Sequence, residues 1–313
     1  MSEDAPTAVY LAIYIITFLI GFPNSALALY SCINKIQRKP IPIDIFMLNL
    51  AISDLIFLTF LPIKMKEAAD NMVWNMPYYL CHFHLFVFFL PVYSSSLFLT
   101  AISAERYVCI AFPVKYKSPK RIIYTVPVCV GIWVIVAVSF IFVYKAAYID
   151  SDEADNTTNQ RPLVTEPQTC YSNFTEKQLR ELLPVRLGLA VVFFFLSLLT
   201  CCFCYISFIR ILLKCPFINR QRKLRAIGLA LGTLLVFASS FAPLNISHLV
   251  GFINKKNPEW RMTALTLSTL NACYDPIIFF CISREMRRVI KVCAKAFFRF
   301  YANLKGQFTQ NNK

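Results

Sequence analysis

Two arginines, a histidine and a tyrosine stand in or at the edge of apolar stretches, where charged and polar groups are costly: Arg186, Arg261, His248 and Tyr93. A guanidinium is a planar fork that pairs bidentately with a carboxylate. Arg186 follows Leu183-Pro184-Val185, and Arg261 opens an apolar run after Trp260. His248 lies five residues beyond Pro243, roughly 7 Å along a helix, and Tyr93 is about 20 Å from Arg106 by the same rise. No acid in the same layer of the chain neutralises both arginines, so an anionic ligand would relieve their repulsion. The same residues also read as two arginines snorkelling to lipid headgroups, which needs no ligand.

A second group could act as a switch. Glu105-Arg106-Tyr107 closes one apolar run, and Asp275-Pro276 sits within another. Arg106 beside Glu105 can pair locally. If the segment carrying Pro243 swings outward, Arg106 becomes free to face Tyr205 and an inserted partner helix. A proline removes one backbone hydrogen bond and kinks a helix, which suits Pro243 to be that hinge.

The elements that must hold these residues follow from composition. Of 313 residues, 57% are hydrophobic and 16% charged, against about 25% charged in a soluble domain. Apolar runs of about 20 residues or more fall at roughly 8–31, 43–66, 81–111, 122–147, 183–213, 226–252 and 261–282. The expectation is an all-α membrane protein, a seven-transmembrane helix bundle over residues 8–283. Residues 1–7 form an extracellular N-terminus, and 284–313 a short amphipathic eighth helix with a cytoplasmic tail. In the latter, Met286, Val289, Ile290, Cys293, Phe297 and Phe300 recur at helical spacing between Arg287, Arg288, Lys291, Lys295 and Arg299.

Charge sets the orientation. Segments after the first, third, fifth and seventh runs hold most Lys and Arg, including Lys35, Lys39, Lys120, Arg121, Arg222 and Arg288. The opposite side holds most acids, among them Glu67, Asp70, Asp152, Glu166, Glu176 and Glu259. The positive-inside rule then places the N-terminus outside and the C-terminus in the cytoplasm, at the plasma membrane. The formal net charge of +15 is therefore largely topological, and no nucleic-acid module accompanies it. Sequons at Asn156 and Asn173 fall outside, where glycosylation is expected; a third, at Asn245, lies inside the sixth run.

Most of the twelve cysteines lie in apolar spans as ordinary small core residues. The exceptions are Cys81, at the outer start of the third run, and Cys170, between the fourth and fifth; both face an oxidising compartment, so a disulfide between them is expected. The histidines, His82, His84 and His248, make no Cys/His metal pattern. No nucleophile–base pair, metal triad or broken-helix repeat is present, so the chain reads as neither enzyme nor transporter.

The ordered motifs carry a resemblance. Leu48-Asn49-Leu50-Ala51-Ile52-Ser53-Asp54, Trp133, Glu105-Arg106-Tyr107, Phe237 with Phe241-Ala242-Pro243, and Asp275-Pro276-Ile277-Ile278-Phe279 each stand on the appropriate span. Together, over residues 8–300, they resemble the rhodopsin-like G-protein-coupled receptors. The resemblance implies an Asp54, Ser95, Asn271, Asp275 cluster in the bundle middle, where two carboxylates repel unless a cation separates them or one is protonated. A Na+ ion and a water-filled network with a shared proton both satisfy that. The chain departs from the class at Ser25, where an asparagine is usual, at Ser197, which replaces a proline, and at Phe279, which replaces a tyrosine.

A narrower resemblance is to the short-chain free fatty acid receptors. It is carried by Thr169 to Thr175, Leu183-Pro184-Val185-Arg186-Leu187, Asn245 to Gly251, Trp260-Arg261 and Leu270-Asn271-Ala272. It implies that Arg186, Arg261 and His248 anchor a ligand carboxylate, with Tyr93 and Asn245 in the same pocket. Leu244, Phe89 and Ser172 stand where members of that family carry tyrosine, tyrosine and glutamate. The implied function is a receptor for short-chain free fatty acids that signals to heterotrimeric G proteins, of the inhibitory class with Gq in addition. The same arginines would also serve another small anion, such as a hydroxycarboxylate, a nucleotide or a lipid phosphate.

Overall fold

A backbone in hydrocarbon must satisfy its own N–H and C=O groups, and the chain does so with helices throughout its described spans. The computed structural model describes residues 4–116, 120–147, 170, 174–216 and 219–282. Helix α1 spans Asp4–Arg38, α2 Pro42–Ala69 and α3 Tyr78–Ala111. A single turn, Pro113–Tyr116, precedes α4, Lys120–Ala147. Helix α5 runs Glu176–Lys214, α6 Arg220–Asn254, and α7 is in two parts, Arg261–Thr269 and Asn271–Ile282. The expected eighth helix, Cys293, Asn156 and Asn173 lie outside the described residues.

Six of these helices are long and apolar enough to cross a bilayer. The parts of α7 are shorter, 9 and 12 residues, but laid end to end they reach roughly 33 Å at 1.5 Å per residue. Around Leu270 the backbone tightens, with Cys273 N–H bonding the Leu270 carbonyl at 2.9 Å.

The helices outrun the apolar runs that predict them. At the start of α5 a capping box explains the difference: Gln178 N–H donates to Thr175 Oγ1 at 3.2 Å, and Thr175 N–H donates to Gln178 Oε1 at 3.0 Å. Two orphan donors are thereby satisfied seven residues before the apolar run begins. At the far end of α2 the helix continues to Ala69, past the apolar run, and takes in Glu67. Glu67 is buried in α2 and accepts a hydrogen bond from Lys64 Nζ at 2.6 Å.

Polarity is inside out relative to a soluble protein. Leu19, Ile123, Val134, Leu199, Leu235 and Ile253 face outward, while Asp54, Ser94, Arg186, His248 and Asp275 are buried. Lipid is the solvent for such a surface. Interhelical ties are mostly single polar bonds set in aromatic packing. Trp133 Nε1 on α4 donates to Asn49 Oδ1 on α2 at 3.0 Å. Ser53 on α2 meets Ser94 and Ser95 on α3 at 2.9 and 3.0 Å. Lys35 and Asp44 join α1 to the start of α2.

Two local features shape the bundle. Gly21 lets α1, α2 and α7 converge: a Cβ there would stand 3.1 Å from Leu58 Cδ2 and 3.3 Å from the Ala272 carbonyl oxygen. That carbonyl is the one Pro276 cannot bond from four residues on. The other is a π turn, Val191–Phe195, between the two α-helical parts of α5. The expected disulfide, Cys81–Cys170, joins the start of α3 to the segment before α5.

Candidate functional site

At the disulfide end, α3, α4, α5, α6 and α7 together line a small cavity. Tyr93, Arg186, His248 and Arg261 line it together with Phe89, Phe140, Val143 and Leu189. Each polar side chain comes from a different helix, save that the four share one layer of the bundle. The Tyr93 hydroxyl and His248 Nε2 are 3.5 Å apart, at the outer limit of a hydrogen bond. Arg186 Nη1 donates to Asn257 Oδ1 at 2.8 Å, and its guanidinium lies 5.0 Å from the Phe174 ring. Both arginines are buried, at 2% and 6% exposure. An arginine snorkelling to a headgroup layer would instead present its guanidinium at the bundle surface.

Asn245 does not line this cavity. It is buried one turn deeper, and its Nδ2 donates to the Phe241 carbonyl on its own helix at 2.8 Å. A short amide side chain on a helix readily bonds the carbonyl four residues back.

A second small cavity adjoins the first and shares Phe89 and Arg261 with it. Lys64, His84 and Cys170 line its polar side. Nothing in the motifs pointed to Lys64. The usable signal was the i, i+3 spacing of Lys64 and Glu67 on one helical face, which permits a buried ion pair.

In the bundle middle, Asp54, Ser95 and Asn271 line a small cavity of about 10 Å³ with Phe57, Pro91 and Phe241. Asn271 Nδ2 donates to Asp275 Oδ2 at 2.7 Å. Asp54 Oδ2, Asp275 Oδ1 and Asn271 Oδ1 are buried without a hydrogen-bond partner among the described residues. The four expected residues are thus neighbours.

At the opposite end, Glu105 accepts from Arg121 Nη2 at 2.8 Å, and no Glu105–Arg106 pair forms. Arg106 Nη1 instead donates to Thr233 Oγ1 on α6 at 3.4 Å, and its guanidinium lies 6.0 Å from the Tyr205 ring on α5. The local pairing expected from adjacency fails because neighbours on a helix diverge by about 100°. Arg121, at the start of α4, approaches Glu105 from outside. Tyr107 faces Phe203, with ring centroids 5.8 Å apart. Pro243 lies inside α6 and Pro276 inside α7.

Residues 23–279 match the family of seven-transmembrane receptors of the rhodopsin type. The chain is 39% identical over 278 residues to free fatty acid receptor 3 of Mus musculus, covering 89% of this chain and 84% of that protein. It is 40% identical over 289 residues to free fatty acid receptor 2 of Mus musculus, covering 92% and 86%. To free fatty acid receptor 1 of Rattus norvegicus it is 31% identical over 279 residues, covering 88% and 91%. The chain is a rhodopsin-family receptor of the free fatty acid receptor type. The family is one of receptors, not enzymes, and implies a small ligand and a G-protein partner. In this receptor the cationic cavity and the Arg106 cluster occupy opposite ends of the same bundle, and α3, α5 and α6 contribute to both.

Proposed function

We propose that this receptor recognises short-chain free fatty acids by their carboxylate and passes the signal to heterotrimeric G proteins. The observation that carries the reading is the joint lining of one small buried cavity by Arg186, His248, Arg261 and Tyr93. Two guanidiniums meet the carboxylate, His248 and Tyr93 complete its hydrogen bonds, and Phe89, Phe140, Val143 and Leu189 take the alkyl chain. Relatives named for free fatty acids support the same reading.

The G protein proposed is of the inhibitory class, with Gq as a second partner. It would engage the end that carries Arg106 and Tyr205, with α6 swinging about Pro243. A plasma-membrane location with the N-terminus outside belongs to the same reading, supported by the lysine and arginine bias of the sequence between the spans and by the disulfide. Glycans at Asn156 and Asn173 belong to the same orientation.

For the central cluster we propose a sodium ion. Its residues fit one: the partnerless oxygens of Asp54, Asp275 and Asn271 are hard donors of the kind that bind such cations. A proton shared by the two carboxylates is the competing account.

The test is G-protein activation in cells dosed with straight-chain carboxylates from acetate to laurate, alongside Arg186→Ala and Arg261→Ala. Responses to short acids that both substitutions abolish at unchanged surface expression are expected. A response that survives both substitutions would remove the arginines from the ligand site.

A further inference from the structure

Helix α5 changes register once. Val191–Phe195 form a π turn, closed by the Leu196 N–H bonding the Val191 carbonyl. Such a turn holds one residue more than an α turn, and an α-helix rotates by about 100° per residue. The π turn therefore fixes the rotation of one half of α5 against the other. The half before it faces the ligand cavity through Arg186 and Leu189. The half after it docks on α3, where Ser103 Oγ donates to Cys201 Sγ at 3.4 Å and the Arg106 guanidinium lies 6.0 Å from the Tyr205 ring.

Consecutive side chains inside the turn serve different neighbours. The Phe193 ring meets Tyr93 of the cavity at 5.5 Å, while Phe194 stacks on Phe237 of α6 at 5.8 Å, with planes within 4°. Both are buried.

From α3, the hydroxyl of Ser96 donates to the Phe193 carbonyl at 2.5 Å, and Ser96 is itself 2% exposed. Phe193 is four residues before Ser197, so in an uninterrupted α-helix its carbonyl would accept the Ser197 N–H. A proline at 197 would withhold that N–H and crowd that carbonyl. Ser96 occupies the same carbonyl from a neighbouring helix.

We infer that Ser96 is a positioning residue: its hydrogen bond to the Phe193 carbonyl holds the π turn of α5 and thereby sets how Tyr205 is rotated relative to Arg186. Ser96 does not line the ligand cavity, so it acts on the coupling between the two ends and not on ligand contact.

The inference stands apart from the carboxylate reading and is tested in two arms on the full chain. In the first, amide hydrogen exchange is measured in detergent micelles without ligand. Ser96→Ala speeds exchange across residues 191–197, Ser96→Thr does not, and Ser96→Ala with Ser197→Pro returns towards the parent. In the second, cells expressing the same variants are dosed with butyrate. Ser96→Ala lowers the maximal G-protein response by about threefold, the size of one interhelical hydrogen bond in a bilayer, with little change in half-maximal concentration. Ser197→Pro alone signals normally, and the double variant regains the response. Unaltered exchange in Ser96→Ala, loss in Ser96→Thr equal to that in Ser96→Ala, or no recovery by the added proline each overturns the inference. If Ser96→Ala fails to reach the surface, recovery of surface expression in the double variant supports it and continued failure overturns it. A parent receptor silent to butyrate would count against the fatty acid reading, while the exchange arm would still decide the role of Ser96.

Discussion

Arg106 is tied to Thr233 across the α3–α6 interface at 3.4 Å, while its sequence neighbour Glu105 is bonded to Arg121 of α4. The arginine proposed above to meet the G protein is therefore restrained by a neutral hydroxyl, and the acid beside it is engaged elsewhere. A hydroxyl–guanidinium bond of this length is a weak restraint.

Thr233→Val removes the hydroxyl while keeping the shape. Interhelical hydrogen bonds in membrane bundles average about 0.6 kcal/mol, so ligand-independent activation is expected to rise two- to threefold. Nucleotide exchange on a reconstituted G protein reads this directly. Basal exchange unchanged from the parent would show that the Thr233 contact restrains nothing.

The Glu105–Arg121 pair is partly exposed, at 15% and 23% of its side chains. Screening by headgroup water limits such a pair to about 1 kcal/mol or less. A double-mutant cycle of Glu105→Gln and Arg121→Gln, read as thermal stability in detergent, is expected to return a coupling of that order. A zero coupling would make the contact incidental.

Asn49 receives the Trp133 indole N–H at 3.0 Å and donates to the Ile45 carbonyl at 2.9 Å. Asn49→Ala leaves the indole donor without that acceptor, which costs about 1–3 kcal/mol. Adding Trp133→Phe removes the donor as well, and part of the loss in melting temperature should return. Additive losses would contradict the pairing.

Sodium and a shared proton make different predictions at the central cluster. If the ion is there, replacing sodium by an organic cation raises agonist potency, and Asp54→Asn abolishes that dependence. A potency indifferent to sodium but sensitive to pH favours the proton.

Seven spans were legible because hydrocarbon demands about 20 apolar residues per crossing, and nothing else in a chain imitates that for long. The cationic layer was legible too, since Arg186, Arg261 and His248 are conspicuous in apolar surroundings. Helix ends were not, because charged residues such as Glu67, Glu176 and Glu181 look like loop residues until capping or pairing partners are considered. The Thr175-x-x-Gln178 box was readable and passed unused. The π turn had no signal in composition: its Phe193 carbonyl is met by a residue 97 positions away. The inward turn of Asn245 onto its own helix was likewise a local competition that spacing alone does not resolve.

The close approach at Gly21 gives the receptor an uneven tolerance to change along its own glycines. Beyond the local helix backbone and chain neighbours, no heavy atom of the described residues lies within 4 Å of a Cβ built at Gly131, Gly188, Gly228 or Gly232, whereas one at Gly21 would press on Leu58 and on the Ala272 carbonyl. Alanine at the four open positions would recover roughly the 1 kcal/mol that a helical glycine forfeits. At position 21 the same methyl would wedge α1 away from the kinked part of α7, next to the residues of the central cluster. A library of alanine substitutions selected for surface expression would therefore favour the four open sites over position 21.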